Sequence, residues 1–134
     1  MTILSASFYS CGDDNGGNDN LTLTVNVLYR VQNDIVTTYP DAGSKVYLFF
    51  DVNKNSSEYT YELGGKYKRG TGTITADQTA TTGTNGRVVV NAEFKNRPLT
   101  VVVESAKYPR RYYEKYIDNF FESEFVDATF NYQE

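Results

Sequence analysis

Thr84-Asn85-Gly86-Arg87-Val88-Val89-Val90-Asn91-Ala92-Glu93-Phe94 is followed five residues later by Leu99-Thr100-Val101-Val102-Val103-Glu104, and these two runs decide the fold. Asn-Gly tolerates the positive backbone angles of a tight turn. The two runs after it are rich in β-branched residues, which favour strands. Lys95-Asn96-Arg97-Pro98 joins them and holds a proline that breaks a strand. The reading is turn, strand, loop, strand. Val88, Val90, Ala92 and Phe94 share one face of the first strand, and Leu99, Val101 and Val103 one face of the second.

Working outward, Leu21 to Val31 alternates cleanly, with Leu21, Leu23, Val25, Val27, Tyr29 and Val31 on one face. Period two over that length predicts a half-buried strand. Gln32 to Ser44 is polar and holds Tyr39-Pro40-Asp41-Ala42-Gly43, so it reads as a loop, with Ile35-Val36 offering a short edge pairing. In Lys45 to Val52, Val46, Leu48, Phe50 and Val52 point inward, while Tyr47 and Phe49 take the other face. Glu58 to Leu63 predicts a weaker strand, ended by Gly64-Gly65. Lys66 to Thr79 has few apolar residues and predicts an edge strand or irregular crossing outside the core. Tyr112 to Glu124 reads mostly as strand. Phe125 to Tyr132 is a closing strand with Val126, Ala128 and Phe130 on one face. Seven or eight short strands predict an all-β, antiparallel, immunoglobulin-like sandwich.

With 134 residues there is room for one core. The net charge of −4 opposes binding to nucleic acid, which needs a basic surface. There is no histidine, so the commonest general base and imidazole metal ligand are missing. One cysteine, Cys11, rules out an intramolecular disulfide and a multi-cysteine zinc site. No cofactor is expected.

The composition changes abruptly at Cys11. Residues 1–10 are apolar or small, and residues 12–20 are Gly, Asp and Asn only. A segment without apolar residues has nothing to bury and predicts a flexible linker. The boundary resembles a bacterial lipoprotein signal, with Ser10 as the small residue before the lipidated Cys11. Phe8 and Tyr9 depart from that pattern, and the missing basic start points to a true start upstream. Gly12-Asp13-Asp14 resembles the acidic export signal of surface lipoproteins in the Bacteroidota. The expected organisation is a signal peptide over 1–10, a linker over 11–20 and one β-sandwich over 21–134. The implied location is the outer membrane, on the cell surface, with the membrane as partner through a lipid on Cys11.

Within the sandwich, Ala42-Gly43-Ser44-Lys45-Val46-Tyr47-Leu48 resembles the entry to the second strand of a known family. Thr82-Gly83-Thr84-Asn85-Gly86-Arg87-Val88 and Leu99 to Tyr108 resemble two later parts of it. That family is the carboxypeptidase regulatory-like, or prealbumin-like, β-sandwich, shared by transthyretin and collagen-adhesin repeats. The resemblance covers roughly Leu21 to Gln133 and implies an accessory module, a spacer or a docking unit. Leu99 and Lys107 depart from it, and Asn53 to Thr79 has no counterpart.

Three groups are candidates for chemistry. Tyr112, Tyr113 and Tyr116, with Phe120 and Phe121, follow Arg110-Arg111, and exposed tyrosines anchor peptides or stack on sugars. The competing role for them is packing within the sheet. Asp51, Asn53, Asn55 and Glu62 have the alternating oxygens and twelfth-position carboxylate of a calcium loop, but the central glycine is missing. Glu104 and Glu114 are carboxylates without an assigned role. The expectation is a non-enzymatic binding or structural accessory module on the cell envelope. The alternative is a surface protein that binds glycan or peptide through the Tyr-rich segment 112–121.

Overall fold

The computed structural model describes residues 21–133, and Cys11 with its flanks lies outside them. The described chain forms strands joined by turns. They are β1 (Thr22–Tyr29), β2 (Tyr39–Pro40), β3 (Lys45–Phe50), β4 (Tyr59–Glu62), β5 (Lys66–Arg69) and β6 (Gly72–Thr75). They continue as β7 (Gln78–Thr81), β8 (Arg87–Asn91), β9 (Arg97–Glu104), β10 (Tyr112–Phe120) and β11 (Glu124–Phe130). The architecture is an all-β sandwich. One sheet runs β10-β9-β3-β7, wholly antiparallel. The facing sheet is built on β1, with β11 along one edge and β8 and β2 sharing the other. Its β1–β11 pair is parallel, a departure from the all-antiparallel expectation. The eleven strands among the described residues exceed the seven or eight expected, because the middle of the chain supplies a third sheet, β4-β5-β6.

Alternation explains the core. Leu23, Val25 and Val27 of β1 meet Val46, Leu48 and Phe50 of β3 and Leu99, Val101 and Val103 of β9. Val126, Ala128 and Phe130 of β11 close the same cluster, as their spacing predicts. Each such valine, leucine or phenylalanine side chain is worth roughly 1.5–3 kcal/mol when fully buried.

The third sheet corrects the expectation for Lys66 to Thr79. Tyr67 is 1 % exposed and forms a second core with Phe49, Val52 and Val102 on the outer face of the first sheet. Tyr47, Tyr59, Tyr61 and Ile74 pack around it. The cause is again period two. In Lys66-Tyr67-Lys68-Arg69 the tyrosine points inward and its cationic neighbours stay in water. Ile35-Val36 also departs from expectation. The pair forms no strand and stands 87 % and 82 % exposed.

The Asn85-Gly86 turn carries weight twice. Gly86 has φ +75, and its N–H donates to the Gly83 carbonyl at 2.9 Å. Its own carbonyl accepts from the N–H of Val27 at 2.7 Å. A Cβ at Gly86 would stand 2.5 Å from the Val27 carbonyl oxygen, so the turn can lie against β1 only as glycine.

Strand direction gives the molecule two ends. Leu21, the β8–β9 connection and the β10–β11 connection lie at the end where β1 begins, here the near end. Tyr29, Tyr39, Lys45, Glu104 and Tyr112 lie at the other, far end. The eight residues of β1 separate the two by roughly 26 Å.

Candidate functional site

The tyrosines expected to form one platform are divided by the pleat of β10. In register with β9, Tyr112 opposes Glu104, Glu114 opposes Val102 and Tyr116 opposes Thr100, all on the outer face. Tyr113 opposes Val103 and takes the inner face at the sheet edge. Tyr112 and Tyr113 are 42 % and 39 % exposed, and Tyr116 is half-buried. Tyr112 packs on Tyr61, with ring centroids 4.7 Å apart. The structure therefore brings Tyr112 and Tyr116 to one face and sends Tyr113 to the other.

The outer face is a layer of tyrosine–carboxylate pairs. The Tyr61 hydroxyl donates to Glu104 Oε2 at 2.5 Å, and the Gly64 N–H donates to the same oxygen at 2.8 Å. The Tyr67 hydroxyl donates to Glu114 Oε2 at 2.5 Å. Burial, then the hydrogen bond to Glu104, pushes the Tyr61 phenol far above its ordinary value. Burial, then Glu114, does the same to Tyr67. Both phenols stay protonated as donors, so the pairs clamp the third sheet to the sandwich. They leave Glu104 and Glu114 in a holding role.

The calcium-loop residues are engaged elsewhere. Asp51 reaches Arg97 at 3.6 Å. The Asn53 side-chain oxygen accepts from the N–H of Asn55 at 2.9 Å, and that of Asn55 from Lys54 Nζ at 3.0 Å. Glu62 lies in β4 opposite Lys66. Among the described residues, no cluster of three or more Asp, Glu, His or Cys side chains is poised to hold a metal.

The far end collects residues that sequence reading left apart. Asp41, 1 % exposed, ties it together. Its carboxylate accepts from the Ser105 hydroxyl and, at 3.0 Å, from the N–H of Lys107. Its carbonyl accepts from the hydroxyls of Ser44 and Thr82 at 3.0 and 2.7 Å. Buried polar groups persist only when partnered, and this set is.

On that base stand four tyrosines. Tyr29 stacks with Tyr39 at 5.5 Å and meets Tyr108 edge-on at 6.1 Å, and Tyr108 meets Tyr132 at 6.2 Å. Lys107 Nζ lies 5.2 Å from the Tyr29 ring centre, and the Arg111 guanidinium 5.9 Å from that of Tyr108. Two hollows open here. One, of about 270 Å³, is walled by Tyr29, Pro40, Asp41, Ala42, Ala106 and Lys107. The other, of about 120 Å³, is lined by Arg30, Gln32, Asn33, Asp34, Asn131 and Tyr132 among others. Arg30 Nη1 donates to Asn131 Oδ1 at 2.9 Å, while its Nε is buried with no partner.

The loop above is shaped by Asp34, whose Oδ1 accepts from the N–H of Val36 at 3.0 Å and of Thr37 at 2.9 Å. Those two bonds hold the Asp34 carboxyl below the usual carboxylate range. The only sequence signal for this site was Arg110-Arg111. Its other members are scattered over 29–41, 105–111 and 131–132, and only the topology gathers them.

No known protein family, curated protein or solved structure matches this chain.

Proposed function

We propose that this chain is an exported, lipid-anchored β-sandwich, carried on the outer membrane through Cys11, that serves the cell envelope as a non-enzymatic binding or structural accessory module. The prealbumin-like pattern around Gly86 is consistent with such a module. One observation carries the reading: the abrupt change at Cys11 from an apolar segment to one of Gly, Asp and Asn only. A tether from Cys11 has nine residues before Leu21, a reach of roughly 30 Å at full extension. Leu21, where that tether joins the sandwich, lies at the near end, opposite the tyrosines and exposed loop of the far end. A second reading, glycan or peptide capture by the segment 112–121, is favoured by the exposure of Tyr112 and Tyr113 beside that same end.

The test is acylation of Cys11 in a bacterial host with lipoprotein export. The full chain, expressed with an alkynyl fatty acid, is expected to take up label and partition into detergent. The Cys11→Ser variant is expected to lose both. An unlabelled wild-type chain of unmodified mass overturns the anchor.

A further inference from the structure

The charges of this acidic protein are separated by end. The near end carries Asp51, Asp77, Glu93, Asp118, Glu122 and Glu124 against Lys54, Lys95 and Arg97. The far end carries Arg30, Lys45, Lys107, Arg110 and Arg111 against Asp34, Asp41 and Glu104, and these three acids are already accepting hydrogen bonds. The excess positive charge thus sits beside both hollows. Each hollow sets one cation beside one tyrosine and one hydrogen-bonded carboxylate, Lys107 with Tyr29 and Asp41, and Arg30 with Tyr132 and Asp34. The second adds the amides of Gln32, Asn33 and Asn131.

We infer that the far end binds a carboxylated polysaccharide, a polymer of uronic-acid sugars, with the two hollows as neighbouring subsites. Sugar rings present flat C–H faces that pack on tyrosine, hydroxyls that pair with amides, and a carboxylate on each residue that pairs with Lys or Arg. The repeat of cation plus tyrosine in two hollows fits a ligand whose own chemistry repeats. An acidic peptide would satisfy the cations, but its carboxylates stand on flexible stems and not on flat rings at a fixed repeat. Arg110 adds a further cation to the same end, outside the linings of the two hollows. It holds φ +72, an unfavourable conformation for a side chain other than glycine, and it is exposed. A positive φ kept at an exposed cation on this end makes Arg110 a position to test by substitution. The inference rests on the binding-module reading but not on the lipid anchor.

The experiment is affinity electrophoresis of the full, unacylated chain through gels holding polygalacturonate, neutral dextran or poly-L-glutamate. Retardation is expected with polygalacturonate alone, and 0.5 M NaCl is expected to weaken it. Lys107→Ala with Arg30→Gln should reduce it about tenfold or more, and Tyr132→Ala severalfold. Arg110→Gly relieves backbone strain while removing a cation, so it should weaken retardation with no fall in melting temperature. Absence of retardation, equal retardation by poly-L-glutamate, or retardation indifferent to Arg110→Gly and Tyr132→Ala overturns the inference. Because no lipid is involved, failure here is separable from failure of Cys11 labelling.

Discussion

Gly86 shows how one residue sets the alignment of two strands. Its positive φ is one constraint, and the 2.5 Å approach of the Val27 carbonyl oxygen to the Cβ position is the other. Sequence reading supplied the first from Asn85-Gly86. The second depends on β1, about sixty residues earlier in the chain, and has no local signature. Gly86→Ala is expected to destabilise by about 1–3 kcal/mol for the backbone strain, with more added by displacement of the turn. Gly83 offers the control: its nearest contacts lie at 3.6 and 3.7 Å and its φ is unstrained. Gly83→Ala should therefore change stability by less than about 1 kcal/mol. Urea melts of both variants check this, and equal midpoints would contradict the role given to Gly86.

At the scale of elements, the third sheet is held by few apolar side chains and by two phenol–carboxylate pairs. Tyr61 and Tyr67 keep their protons well above the ordinary tyrosine value of 10.0. In the unfolded chain the same phenols ionise near that value. Their contribution is thus fully present at neutral pH and lost as pH rises past it, because only the unfolded state releases protons there. Stability should stay level through neutral pH and fall above about pH 10. Tyr61→Phe with Tyr67→Phe should lower stability at pH 7 by about 2–5 kcal/mol, through two lost bonds to charged acceptors. It should also flatten the alkaline fall. Urea midpoints from pH 7 to pH 11 test this, and an unchanged alkaline slope in the double variant rejects it. The sequence predicted β4 as a weak strand and concealed the rest of this sheet for a definite reason. Leu23, Val25 and Val27 announce a strand by alternating along eight residues, whereas β4, β5 and β6 have four residues each. Tyr67 stands alone between Lys66 and Lys68, which gives the period-two pattern nothing to repeat on. Phe49 was correctly assigned to the outer face of β3, but what covers it comes from a segment that looks soluble. The far-end site was hidden by distance along the chain: Tyr29, Lys107 and Tyr132 share no local pattern.

For the whole molecule the decisive contact is the parallel pair of β1 and β11. Asn26 Nδ2 donates to Asp127 Oδ1 at 2.9 Å, and the Arg30 N–H to the Phe130 carbonyl at 2.9 Å, each joining residues about a hundred apart. Closing a loop of that size is entropically costly and yields nothing until Val126, Ala128 and Phe130 dock on the core. The sandwich should therefore fold slowly, in the milliseconds-to-seconds range of β-proteins with non-local pairing. It should also depend on β11 for its existence. Removal of residues 122–134 strips three buried side chains worth roughly 4–7 kcal/mol together. It also leaves one edge of β1 without its ladder. Against a total stability of about 5–15 kcal/mol, that loss is enough to abolish cooperative unfolding. Removal of residues 133–134 alone touches neither the ladder nor the core and should leave the urea midpoint in place. A sharp, native-like transition in the longer truncation would mean that β1 is held by β8 and β2 without β11. In that case the parallel pair would be an accessory to the fold and not its closure.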